Sequence, residues 1–277
     1  MIYNILGADK DLQYIKYSIR NSFKSQTTYK TFTVVTIIGA ILGIIIEISI
    51  WKALYNGKNV ILANTSEVHL SEMIQYVIIS MFVTLIINNN IVSNIQDRIT
   101  SGQISIDCIR PVSFHVQVIC NEISNLFFNV VFNFLPMLLF CIISFGRNSI
   151  AIKDLGLFTI SILNSMILYY LINYAIGLIS FWFLNIWQLA TILDGFVKLF
   201  SGAFIPLWFF KGDFLMLANF LPFNLIYYFP ISISLNKFDI QYIYQGFIKQ
   251  IIWIIVLFII CIALWNRGNK KLSVQGG

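Results

Sequence analysis

The chain has 277 residues, of which 58% are hydrophobic and only 11% charged, whereas a soluble domain carries roughly 25% charged residues. A mean hydropathy of +0.81 makes lipid the main solvent and excludes an ordinary soluble enzyme. The net charge of +6 belongs with anionic lipid rather than nucleic acid.

Long uncharged apolar runs fit helices of about 20 residues, which cross roughly 30 Å of hydrocarbon. They are too continuous for the short alternating strands of a membrane barrel. The predicted architecture is an all-α integral membrane protein: one transmembrane domain over 1–277 with six transmembrane helices. An N-terminal amphipathic interfacial helix precedes them, and short re-entrant helices precede the last span.

In chain order, residues 9–24 read as that interfacial helix. Leu12, Ile15, Ile19 and Phe23 recur at three and four residues, with Lys16, Arg20 and Lys24 beside them, which suits the headgroup layer. Residues 1–31 hold five basic and two acidic residues and no short apolar core with a cleavage site. The first apolar run is therefore read as a retained span. It covers residues 32–51, with Glu47 near its far end in reach of the interface or Lys52. A polar loop over 52–70 leads to a second span over 71–92, which ends in Asn88, Asn89 and Asn90. A second polar loop runs from Ser93 to Gln117. The third span, 118–144, contains Pro136 as an expected kink. The fourth and fifth spans cover 155–184 and 187–209, and the sixth covers 247–265. Between the last two, residues 203–235 hold Pro206, Pro222 and Pro230. Proline forbids one continuous helix there, so two short helices dip into the outer half of the membrane and contribute to a lumen or gate.

Lys and Arg counts favour both termini in the cytoplasm of a multi-pass cell-membrane protein. That placement puts ten basic residues inside and seven outside, as the positive-inside rule requires.

No GxxxxGK[ST] phosphate loop and no HExxH motif occur, so the chain itself is not read as an ATPase or hydrolase. His69 and His115 fall on opposite sides of the membrane in this topology. The four cysteines have no metal spacing, so no metal site and no cofactor is expected in this chain. Asp194 and Lys198 lie four apart on one helix face. They are either a structural pair at a helix interface or part of a pathway. Asn121, Asn125, Asn129 and Asn133 also recur every four residues, with Glu122 beside the first. They either bond neighbouring helices or line a polar path. Gly195, Ser201 and Gly202 make one side of the fifth span small, which suits a subunit interface. The inside loop Ser101 to His115 contains Gly102, Asp107, Arg110 and Pro111. It is either a solvated connector or a semi-rigid segment that docks on a partner.

At this loop the chain resembles the ABC-2 type permeases, in the branch formerly classed as a family of unknown function. A glycine, a hydrophobic stretch and Arg-Pro-Val-Ser (Arg110 to Ser113) are similar to that branch's loop between the second and third spans. LFSGAFIPLWFF (Leu199 to Phe210) and LANFLPFNLIYYFPISI (Leu217 to Ile233) are similar to its Ile-Pro, Leu-Pro-Phe and tyrosine-proline segments. Cys108-Ile109 departs from the family's leucines, and no glycine follows Pro230 in Ser232 to Asn236. The resemblance implies a transmembrane permease subunit of an ATP-driven ABC exporter, moving an amphiphilic drug, lipid-like molecule or small peptide. Two ATP-binding subunits would hold ATP and Mg, and a second permease, identical or related, would pair through the first and fifth spans. The 101–115 loop, His115 included, would couple to the ATPase. The competing expectations are a stand-alone ion-coupled carrier or channel and, less supported by motifs, a membrane enzyme.

Overall fold

The computed structural model describes Lys16, Tyr17, Arg20, Phe23, Lys24 and residues 30–64, 66–110, 112–146 and 154–275. The expected interfacial helix over 9–24 therefore falls largely outside the described residues. Its Phe23 packs on Phe128 and Phe132, at 6.2 and 6.0 Å between ring centroids.

Helix α1 (Lys30–Tyr55) is followed by a hairpin of β1 (Val60–Ala63) and β2 (Ser66–His69). The strands are antiparallel, with Val60 opposite His69, where the sequence suggested only a polar loop. Tyr55 donates its hydroxyl to the Val68 carbonyl at 3.0 Å. Asn64 donates to the carbonyls of Trp208 and Phe210 at 2.8 Å each. These bonds fasten the hairpin to the proline-rich segment. Glu47, expected to reach the interface or Lys52, instead has a buried Oε1 without a hydrogen-bond partner.

Helix α2 (Leu70–Ile87) is the central wall of the molecule. Tyr76, Ile79, Val83 and Ile87 face one apolar core, while Met73, Val77, Phe82 and Leu85 face another. The second span does not end at the asparagines. After Asn88, Asn89 and Asn90 the helix resumes as α3 (Ile91–Thr100), inside one apolar stretch from Leu70 to Thr100. Asparagine makes this break tolerable because its amide can replace lost backbone partners. Asn129 Nδ2 donates to the Asn88 carbonyl at 3.0 Å, and Asn89 Oδ1 accepts the Ile91 N–H at 3.4 Å. The polar loop expected from Ser93 to Gln117 is thus mostly helical: α3, then α4 (Gln103–Ile109), then the start of α5 (Phe114–Asn129).

Between α5 and α6 (Leu135–Phe145) lies a π-helical turn over Val130–Phe134. Pro136 explains it. Its ring crowds the carbonyl four residues earlier and it offers no N–H, so the preceding turn widens. Helix α7 (Leu155–Leu178) continues into a 3₁₀ turn, Ile179–Phe181, and packs against α3 and the last helix.

The fifth span predicted over 187–209 is shorter than expected. Helix α8 (Trp187–Phe200) has 14 residues, about 21 Å at helical rise. The chain then turns at Gly202, whose φ of +78° suits glycine. A 3₁₀ turn (Leu207–Phe209), α9 (Gly212–Phe220), a second 3₁₀ turn (Pro222–Leu225) and α10 (Tyr228–Ser234) follow. These include the two short helices that the prolines implied. The long α11 (Ile240–Gln275) closes the fold against α7. Among the described residues, five stretches are long and apolar enough to cross a membrane. The segment from α9 to α10, bent by 67°, makes a sixth if it counts as one span.

Candidate functional site

The α3–α4–α5 turn is built around Asp107. Gly102 adopts φ 75° at the junction, a left-handed conformation that lets α4 fold back sharply. Asp107 is only 2% exposed. Arg98 Nη1 lies 3.3 Å from its Oδ2 and Arg110 Nη1 3.2 Å from its Oδ1, while Gln103 Nε2 donates to Oδ1 at 3.4 Å. Gln117, also buried, donates to the carbonyls of Asp107 and Val112 at 3.1 and 2.9 Å. Its Oε1 accepts from Arg110 at 3.4 Å. The sequence reading offered Asp107 to a partner; the structure turns it inward as the tie that holds α4. Two guanidinium groups compensate its buried charge. Pro111 lies outside the described residues.

What α4 presents outward, Ser105 apart, is apolar. Ile106 is 55% exposed and Ile109 84%, with Cys108 exposed between them. Partial burial, and then the Asp107 charge, push the Cys108 thiol above its ordinary pKa. Behind this face the turn is wired into the bundle by aromatic groups. Phe114 stacks on Trp265 of α11 at 5.1 Å and an interplanar angle of 10°. His115 meets Trp265 edge-on at 4.5 Å and shares a hydrogen bond with the Tyr174 hydroxyl of α7. Arg98 sits over the Phe114 ring at 5.8 Å. His115 is therefore a structural link inside the first turn of α5, not a loop residue. Sequence reasoning missed Arg98, Gln117 and Trp265. No periodicity joins residues nine, ten or some 150 positions apart.

Asp194 and Lys198 form an ion pair at 2.7 Å, with side chains 42% and 46% exposed. The pair is thus not sealed inside the chain. It lines an open polar groove of about 460 Å³ with Thr84, Asn88, Asn89, Tyr169, Asn173 and Tyr227. The asparagine series is split in its bonding. Asn125 Nδ2 donates to Glu122 Oε1 at 3.0 Å, Asn129 bonds the α2–α3 break, and Asn133 Nδ2 donates to Asn129 Oδ1 at 2.9 Å. Asn121 lies half-buried on the same helix. Of the small residues assigned to a subunit interface, Ser201 is buried within the chain. Gly202 is enclosed by Leu207, Tyr228 and the Tyr76 hydroxyl. Both serve internal packing at the end of α8; only Gly195 has open space around its Cα.

No curated protein matches the chain. A family model described as an ABC-2 family transporter protein matches residues 42–276, from the middle of α1 to the end of α11. Among the described residues, the matched region takes in most of the first apolar stretch able to cross a membrane, the whole of the other four and the α3–α4–α5 turn, so the chain belongs to the ABC-2 family of transporter proteins, as a membrane permease that works with ATP-binding subunits.

Proposed function

We propose that the chain is the transmembrane subunit of an ATP-driven exporter of an amphiphile, such as a drug, a lipid-like molecule or a small peptide. Two separate ATP-binding subunits hold ATP and Mg, and a second permease, identical or related, completes the complex in the cell membrane. Both termini are cytoplasmic. Helix α4 seats in a cleft of the ATPase, and the two permeases meet through α1 and α8. Ile38, Leu42 and Ile46 on α1 and Ile192, Phe196 and Leu199 on α8 are exposed, which supports that pairing.

One observation carries the reading. Helix α4 is locked by the buried Asp107 network, exposes Ile106 and Ile109, and connects to α11 through the Phe114–Trp265 stack. A rigid element with an apolar outer face and a mechanical link to the bundle is what force transmission between subunits requires. Ile109→Asp tests it, because the 84% exposed side chain contributes little to the fold. Co-purification of the ATPase should fall at least tenfold while the permease remains monodisperse. Unchanged assembly and unchanged substrate-stimulated ATP turnover would remove α4 from the interface.

A further inference from the structure

Between α5, α7 and α11 the chain leaves a cleft of about 400 Å³. Its walls are apolar, with Ile119 and Ile123 from α5, Met166 from α7, and Ile254 and Phe258 from α11. Among the described residues that line it, Glu122 is the one carboxylate and there is no lysine, arginine or histidine. Asn125 gives its Oε1 an uncharged hydrogen bond at 3.0 Å. The ion pairs among the described residues involve Arg98, Arg110, Lys198 and Lys237 with other carboxylates, so no described cation pairs with Glu122. An acidic group on an apolar wall is costly unless a counter-charge reaches it.

We infer that this cleft binds an amphiphilic ammonium ion, a protonated amine on an alkyl or aromatic body, with Glu122 as its counter-charge. The shape and the chemistry agree. A cavity of this size falls within the range that encloses a drug-sized ligand. The apolar walls take the body, and the carboxylate takes the head through a charge-assisted hydrogen bond. A bare divalent cation does not fit, because one carboxylate in an apolar wall supplies too few oxygens. A neutral lipid has no use for the charge. Asn88 and Asn89 line this cleft and also the Asp194–Lys198 groove. The α2–α3 break is therefore the wall between an apolar cleft and a polar groove. The inference deepens the exporter reading by naming the class of amphiphile, although the binding itself rests on the cleft.

The test uses the full chain, purified alone in phosphatidylcholine nanodiscs. The probes are a fluorescent alkyl tertiary amine and its uncharged amide isostere. The amine should bind saturably and at least tenfold tighter than the amide. Glu122→Gln should weaken the amine at least tenfold, leave the amide unchanged, and differ from Glu122→Asp, which should retain most of the binding. Glu67→Gln, on the exposed hairpin, should bind as the unaltered chain does. Equal binding of the amine to Glu122→Gln, or equal binding of amine and amide to the unaltered chain, overturns the inference. Should Glu122→Gln fail to give monodisperse protein, Ile123→Trp, which fills the cleft, is read instead, and unchanged amine binding overturns it. No ATPase is present in this assay. Loss of amine selectivity therefore refutes the cleft alone, and failure of the unaltered chain to recruit an ATPase refutes the exporter reading alone.

Discussion

Asp107→Asn is the most informative single change at the α3–α4–α5 turn. It removes the charge that holds Arg98 and Arg110 at 3.3 and 3.2 Å while keeping the shape. Breaking a fully buried ion pair costs about 3–5 kcal/mol, because the remaining charge is stranded. Here the two guanidiniums differ. Arg110 is 45% exposed and Arg98 19%, so Arg110 can stay solvated and its share is about 0.5 kcal/mol. Arg98 bears most of the loss, and the total is about 2–3 kcal/mol. At roughly 2–4 °C per kcal/mol for a chain of comparable size, Tm should fall by roughly 4–12 °C. Thermal unfolding in nanodiscs, followed together with co-purification of the ATPase, checks it. Asp107→Asn should lower stability and assembly together, whereas Ile109→Asp should lower assembly alone. Adding Arg98→Met to Asp107→Asn should recover part of the loss, since it removes the stranded cation. A stability within about 0.5 kcal/mol of the unaltered chain would show that the network does not hold α4.

Gly202→Ala should destabilise the protein by at least about 1–2 kcal/mol, since φ is +78° and a side chain there is strained. The new Cβ would also lie 2.8 Å from Leu207 and 2.9 Å from Tyr228; a Tm equal to that of the unaltered chain refutes this. Asp194→Asn should cost under about 1 kcal/mol in stability, because the pair is 42–46% exposed and such pairs contribute little. A larger loss, relieved by adding Lys198→Met, would show instead that the groove is dry. Maleimide should label Cys108 selectively, as the other three cysteines are buried. The thiolate is the nucleophile and its pKa is raised, so labelling should be slow near neutrality and accelerate as pH rises. Asp107→Asn should shift that profile to lower pH, and an unshifted profile would remove Asp107 as a cause.

The sequence by itself determined the solvent, the helical class and the position of the irregular segment. Charge content and long apolar runs are local sums, and every backbone group in lipid must be satisfied within a helix, so these properties are fixed before any tertiary contact forms. Pro206 and Pro222 stand where the helix breaks into 3₁₀ turns, Pro230 sits in the first turn of α10, where its missing N–H is tolerated, and Pro136 distorted its helix, though as a π-turn that lay outside periodicity. The Ser-Gly pair at the end of α8 looked like a surface for another helix, yet it packs inward. Lipid and protein core are both apolar, so a membrane helix carries little amphipathic signature of which face meets which. Only the tertiary structure decided that α2 is a two-faced wall, that the asparagine break resumes as helix, and that Asp107 points inward. Only it set Trp265 beneath a turn some 150 positions earlier. Those contacts join residues with no regular spacing, and their energy exists only once the helices have docked.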